Sequence, residues 1–314
     1  VHERLVPGAT LGGYVVERHL ARGGMADVYL ARDRASGAHV ALKVIAADVE
    51  VVQRELEHEA RAATCVRHPN VAATIAAGVD AGRAFLVMEH VDGVSVRDLL
   101  GALTRVVVPI AVRLHVVAGA ARGLDAAHEA RDARGAPLGL VHRDVSPSNL
   151  LLARSGEVRV IDFGIAKTRE RATQTRLGVL KGKLSYMSPE QAAGARLDAR
   201  SDLFSLGIVL HELLSERKLF AAASPAELRR LVVRAEIPPL PAHVPAPIAE
   251  LVAAMLQRDP ASRPASAREI AETLERALRG DEAAQLAPIV DALVDGRAHE
   301  DALYDAATRI DELD

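Results

Sequence analysis

A chain of 314 residues suffices for one large two-lobed domain or two ordinary ones, and 49% apolar with 26% charged residues is a composition that buries a core rather than staying disordered. Aromatics make up only 3% and Trp is absent, so the core is built from Leu, Val, Ile and Ala. A net charge of −3 leaves no footprint for nucleic acid, and the single cysteine, Cys65, excludes an intramolecular disulfide or a cysteine metal cluster.

In chain order, residues 14–20, 26–32 and 39–45 read as strands, with turn signals at Arg22-Gly23-Gly24 and Ala35-Ser36-Gly37, an antiparallel meander. Alternation puts Ala41 and Lys43 on one face of the third strand. Residues 51–66 have helical spacing, with Glu55 and Glu59 on one face, and His68-Pro69-Asn70 ends the segment. Residues 71–79 and 84–88 continue the sheet. From Val94 the period becomes helical: Ser95 caps a helix over 96–103, and 109–131 is a long helix with Ile110, Leu114, Val117, Ala121 and Leu124 in one stripe. Residues 131–139 read as a surface excursion.

The chemistry-bearing stretch comes next. His142-Arg143-Asp144-Val145-Ser146-Pro147-Ser148-Asn149 leads into Leu150-Leu151-Leu152, and Asp162-Phe163-Gly164 follows a Val-Arg-Val-Ile run. Further on stand Gly182-Lys183-Leu184-Ser185-Tyr186-Met187-Ser188-Pro189-Glu190, then Asp202 opening an apolar helix, then Arg258-Asp259-Pro260-Ala261-Ser262-Arg263-Pro264. The tail, 281–314, holds ten acids against two arginines, a net −8 that leaves +5 on the rest. Its apolar residues form two helical stripes, Leu286, Ile289, Val290, Leu293 and Val294, then Leu303, Ala306, Ala307, Ile310 and Leu313, so two short amphipathic helices broken at Gly296 are expected.

An Asp and an Asn five apart, followed by Asp-Phe-Gly, resemble the catalytic loop and metal motif of a protein kinase. With Val40-Ala41-Leu42-Lys43 and the late Arg263, the resemblance covers residues 11–279 and is nearest to the bacterial eukaryotic-like (Hanks-type) serine/threonine kinases. It implies an α+β, two-lobed fold: an N-lobe over 11–91 of antiparallel sheet plus one helix, a mainly helical C-lobe over 92–279, and an acidic helical extension over 280–314. It also implies transfer of the γ-phosphate of ATP to Ser/Thr hydroxyls of proteins, with Mg²⁺, or Mn²⁺ in its place.

By that resemblance Asp144 orients and deprotonates the acceptor, Asn149 and Asp162 hold the metal, and Lys43, paired with Glu59 (Glu55 being the runner-up), reaches the phosphates. Leu20, Val28, Ala41, Met88 and Leu151 would enclose the adenine, and the Glu89 carbonyl and Val91 amide would bond its edge. Gly23 and Gly24 would cover the phosphates, although the loop's first and third glycines are replaced by Ala21 and Ala26, and a Gly-Gly pair alone is an ordinary hairpin turn. His142 and Phe163 would pack as a structural spine, and Arg263 would pair with Glu190. Thr173 and Thr175 stand where such kinases are autophosphorylated, and Arg143 is suited to pair with a phosphate there.

Two departures stand out. The family's Lys two residues after the catalytic Asp is Ser146 here, and its usual Thr after Gly182 is Lys183. Lys183 either supplies the missing ammonium or points to solvent. The altered glycine loop and Ser146 leave a nucleotide-binding pseudokinase as the alternative; Lys43, Asp144, Asn149 and Asp162 argue for the enzyme, and the late motifs argue against a small-molecule phosphotransferase. The tail helices either pack on the kinase's own lobe or dock a partner, a second copy or a following domain. With no signal peptide and no run of the ~18–20 apolar residues a membrane span needs, the expected location is the cytoplasm. The chain begins at Val1, not Met, so a fragment and an anchor outside it both stay open.

Overall fold

The computed structural model describes residues 4–22, 26–45 and 64–163, then 183–296 in full and 297–311 as backbone. Six strands form the first sheet: β1 (Thr10–Leu11), β2 (Tyr14–Arg22), β3 (Ala26–Asp33), β4 (His39–Ile45), β5 (Thr74–Asp80) and β6 (Arg83–Glu89), in the order β1-β2-β3-β4-β6-β5, all antiparallel. The expected strand over 71–79 begins later, at Thr74; Val71 instead makes an isolated parallel bridge to Val160 in the other lobe. The helix expected over 51–66 lies almost wholly outside the described residues, and Glu55 and Glu59 with it.

Alternation in β4 sorts its residues as the pleat requires. Val40, Leu42 and Val44 are buried among Leu11, Val16, Tyr29 and Phe85, while Ala41 and Lys43 face the half-open side. Register carries that face across the sheet, Val28 standing opposite Lys43 and Ala41 opposite Met88.

A second sheet of three short strands, β7 (Gly93–Ser95), β8 (Leu150–Ala153) and β9 (Val158–Val160), floors the cleft. At Gly93 a Cβ would lie 1.9 Å from the Leu152 carbonyl oxygen, so only glycine lets β7 approach β8 this closely. Ser95 then caps α1 (Val96–Ala102) in a capping box with Asp98.

The helical lobe is built on α2 (Ile110–His128) and α4 (Arg200–Ser215), with α3 (Pro189–Ala193), α5 (Pro225–Arg234), α6 (Ala246–Met255) and α7 (Ala267–Glu275) around them. From Ser201 to Leu214 every residue of α4 is buried, the mark of a helix enclosed by protein on all sides. Arg113, on α2, ties the two together by donating to the Leu213 carbonyl at 2.7 Å. The excursion after α2 is a surface turn in which Asp132 accepts from the Arg134 and Ala136 amides.

The tail corrects the expectation of two helices. It forms one helix, α8 (Glu282–Asp311), continuous through Gly296. A lone glycine weakens a helix by only about 1 kcal/mol, too little to stop it. Leu286 and Val290 are fully buried in the core of the helical lobe, and Arg154 at the end of β8 reaches Asp291 at 2.6 Å. Gly156 makes room for this: a Cβ there would sit 2.0 Å from the Ala283 carbonyl oxygen. The first stripe thus packs on the chain's own lobe; the side chains of the second lie outside the described residues.

Candidate active site

The two sheets bring the site together at one point. Lys43 Nζ donates to Asp162 Oδ1 at 2.7 Å, linking β4 to the residues after β9 across 119 positions of chain. The hairpin of β8 and β9 places Asn149 and Asp162 side by side, because the Ile161 amide bonds the Asn149 carbonyl at 3.0 Å. Asn149 Nδ2 donates to the Asp144 carbonyl at 2.8 Å. A carbonyl can receive only the amide nitrogen, so Asn149 Oδ1 is the atom left for a cation. Asn149 and Asp162 therefore offer hard oxygen donors that fit a Mg²⁺-like ion completed by phosphate and water. Among the described residues no group of three His, Cys, Asp or Glu is placed to hold a metal ion.

The loop carrying Asp144 is held in an unusual shape. Arg143 has φ +63° and Asp162 φ +58°, left-handed backbone in non-glycine residues. Asp202, at the start of α4, secures the first of these. Its carboxylate accepts the amides of His142 at 2.7 Å and Arg143 at 2.8 Å, and takes a third bond from the His128 ring at 2.8 Å. Gln191 on α3 adds a bond from Nε2 to the Arg143 carbonyl at 2.8 Å. The His142 ring packs against Phe163, centroids 4.8 Å apart and planes tilted by 50°, and bonds the Ile161 carbonyl at 2.9 Å, joining the two motifs.

Sequence reading missed the parts played by Asp202 and Gln191. Asp202 was visible as a helix opener, yet a carboxylate at the head of a mostly apolar helix must find buried donors, and that is the signal that points to its loop contacts. Gln191 carried no signal of its own.

Lys183 Nζ stands 3.2 Å from Asp144 Oδ2, with its side chain 41% exposed. Just beyond it, Tyr186 donates to the buried Glu212 at 2.7 Å, and Lys218 donates to the same carboxylate oxygen at 2.9 Å. Burial, together with the Glu212 charge, holds the Tyr186 phenol above its usual pKa. Glu190 takes two parallel bonds from Arg263, at 2.7 and 2.8 Å, and one from Ser201 at 2.7 Å. Burial pushes the Glu190 carboxyl up, but the Arg263 and Ser201 bonds outweigh it and bring its pKa down to about 2.

The residues expected around an adenine come from both sheets. Val28 and Ala41 are half-buried in β3 and β4, Met88 is buried against Leu86 and Ala41, and Leu151 is half-buried in β8, opposite Ser95. Leu20 lies at a register shift of β2, half-buried, and Glu89 and Val91 follow at the end of β6. Gly23, Gly24, Glu59, Thr173 and Thr175 lie outside the described residues.

A lysine over a loop aspartate and a metal-directed Asn–Asp pair, in a cleft between a sheet lobe and a helical lobe, define a nucleotide-dependent phosphotransferase. Residues 14–274 match the protein kinase domain, and the chain belongs to the protein kinase family. It is 37% identical over 286 residues to tyrosine-protein kinase MasK of Myxococcus xanthus, a match covering 85% of this chain and 42% of that protein. To serine/threonine-protein kinase PknA of Mycobacterium tuberculosis it is 36% identical over 266 residues, 82% of this chain and 59% of PknA. The chain thus spans about half the length of these relatives. Among solved structures, the M. tuberculosis PknI kinase domain superposes with a TM-score of 0.68 at 29% identity, covering 87% of this chain and 98% of that domain. These likenesses favour a kinase over a pseudokinase, and the family uses ATP with a divalent cation.

Proposed function

We propose that this chain transfers the γ-phosphoryl group of ATP to Ser and Thr hydroxyls of proteins, Mg²⁺ being the cation it uses, and that it phosphorylates itself at Thr173 and Thr175. One observation carries the reading: Lys43, Asp162, Asn149 and Asp144 are joined in an unbroken chain of hydrogen bonds and loop backbone across the cleft. In the reaction the acceptor oxygen bonds the γ-phosphorus as the bond to the β-bridging oxygen breaks, ADP leaves, and Asp144 takes the hydroxyl proton. Lys43 draws the phosphates into line and Asn149 and Asp162 hold the cation, whose contribution is to neutralise phosphate charge. The reaction draws on cytoplasmic ATP, and we place the domain in that compartment; among the described residues no helix is long and apolar enough to cross a membrane.

A tyrosine acceptor is the second reading, on the strength of the similarity to MasK. Incubation with labelled ATP and Mg²⁺, wild type beside Asp144→Asn, followed by phosphosite mapping, decides among these. Label on Thr173 or Thr175 that the variant and EDTA both abolish supports the proposal. Label on tyrosine alone moves the acceptor class, and no label on the chain or on a general protein substrate refutes the activity.

A further inference from the structure

The segment from Asp144 to Asn149 contains no basic residue. Val145 is buried while Asp144 and Ser146 are half-open, and Ser146 has extended backbone (φ −159°, ψ 161°). Alternation therefore turns the side chains of Asp144 and Ser146 to the same, more open side, and a serine there brings no charge. Transfer of a phosphoryl group needs positive charge at that place, because negative charge spreads over its oxygens as the bridging bond breaks. Lys43 stands on the far side of the site, engaged with Asp162 at 2.7 Å.

Lys183 meets the need from another part of the chain. Its ammonium is 3.2 Å from Asp144 Oδ2 and its stem is 41% exposed, so it borders the space the reacting groups must occupy. An ion pair this open stabilises a fold by at most about 1 kcal/mol, so holding the structure together gives little account of it. Its backbone is well fixed, however. The Lys183 carbonyl accepts the Tyr186 amide at 3.1 Å, Leu184 is buried, and Tyr186 is locked onto Glu212. Ser188 then caps α3, whose Gln191 returns to the Arg143 carbonyl.

We propose that Lys183 is a catalytic residue whose ammonium contacts the transferred phosphoryl group, supplying from the segment 183–188 the charge that the Asp144 loop lacks at Ser146. As the acceptor hydroxyl passes its proton to Asp144, that carboxylate loses its charge and releases the ammonium to the phosphoryl oxygens; ADP leaves with the bridging oxygen. The consequence is a site whose charge is complete only when the 183–188 segment is seated.

This rests on the kinase reading, and the test separates the two. Steady-state kcat and KM for ATP are measured on the full chain with a general protein substrate, for wild type, Lys183→Ala, Lys183→Arg and the double variant Ser146→Lys/Lys183→Ala. Nucleotide-induced thermal stabilisation serves as the check on folding. Lys183→Ala is expected to lower kcat about 100-fold, the loss typical of removing one preorganised transition-state contact, with KM for ATP changed less than about threefold. Moving the ammonium to position 146 is expected to restore kcat to within about tenfold of wild type. A Lys183→Ala variant within about threefold of wild-type kcat overturns the proposal and leaves the kinase reading standing. So does a loss that neither Arg at 183 nor Lys at 146 recovers, since charge at that place is the claim. Absence of transfer by the wild type overturns the kinase reading and this inference together.

Discussion

Replacing Asp202 by Ala tests whether the catalytic loop is held from below by α4. The carboxylate is 1% exposed and accepts two main-chain amides, from His142 and Arg143, and a bond from His128. Its removal leaves two amides without that acceptor, at about 1–3 kcal/mol each, and relieves part of the desolvation of a buried charge; the net loss expected is about 4 kcal/mol. For a domain of this size unfolding entropy is on the order of 0.6 kcal/mol per kelvin, so Tm should fall by about 6 °C. Asn at 202 is not a rescue, because its amide nitrogen faces one of the two donors; it should lose at least about half as much. The functional loss comes from the backbone. Arg143 at φ +63° is disfavoured by about 1–2 kcal/mol relative to right-handed conformations, so it relaxes once unsupported and carries Asp144 with it. A displacement near 1 Å is enough for about a 100-fold loss in kcat. Thermal unfolding and steady-state kinetics on the same preparations check both parts. Retention by Asp202→Ala of kcat within about threefold and Tm within about 2 °C would refute the idea that this carboxylate shapes the loop.

Two other expectations follow from buried contacts. Glu190, with a folded pKa of about 2 against an ordinary 4.5, contributes stability that is fully present above pH 4.5 and is lost as pH falls toward 2. About 1 kcal/mol of it should be gone by pH 4 and about 2 by pH 3, so a Glu190→Gln variant should show a correspondingly flatter acid limb in urea titrations; parallel limbs would speak against the pair as the cause. In the tail, Leu286→Ala removes a fully buried side chain and should cost about 3 kcal/mol, while Gly156→Ala should push α8 away through its contact with the Ala283 carbonyl. Both should raise amide exchange over residues 282–296, and unchanged protection there would mean that α8 is not seated on the lobe as described.

What was legible in the sequence was whatever local pattern or fixed spacing dictates. The meander, the open face carrying Ala41 and Lys43, the long stripe of α2 and the Glu190–Arg263 pair follow from period, turn chemistry or motif. The Asn149–Asp162 juxtaposition was legible for the same reason, since a tight hairpin between them leaves little choice. Long-range contacts that no motif specifies were not. Asp202 reaches the His142 and Arg143 amides across about sixty residues, and no periodicity encodes which donor a buried carboxylate will find. The single α8 was misread because Gly296 and the change of stripe looked like a break; helix continuity depends on the sum of many residues against one weak point.

The site's strain indicates how the domain joins local geometry to global assembly. Arg143 and Asp162, the two left-handed non-glycine residues of the centre, flank the stretch that holds Asp144 and Asn149. Neither conformation is favoured by its own sequence, and each persists because outside contacts over-determine it. Arg143 is held at its amide by α4 and at its carbonyl by α3; Asp162 is held by Lys43 from the opposite lobe. The supports come from β4 in one lobe and from the neighbouring α3 and α4 in the other, so loss of Asp202 or Gln191 reaches the Asp144 loop without touching a reacting atom. Lys183 lies on the same chain of supports, eight residues before Gln191, and the position of the 183–188 segment therefore bears on the Asp144 loop twice: through the ammonium beside its carboxylate and through the glutamine beneath its backbone. On the proposed reading, in which Asp144 takes the acceptor's proton, the seating of the 183–188 segment acts directly on that group.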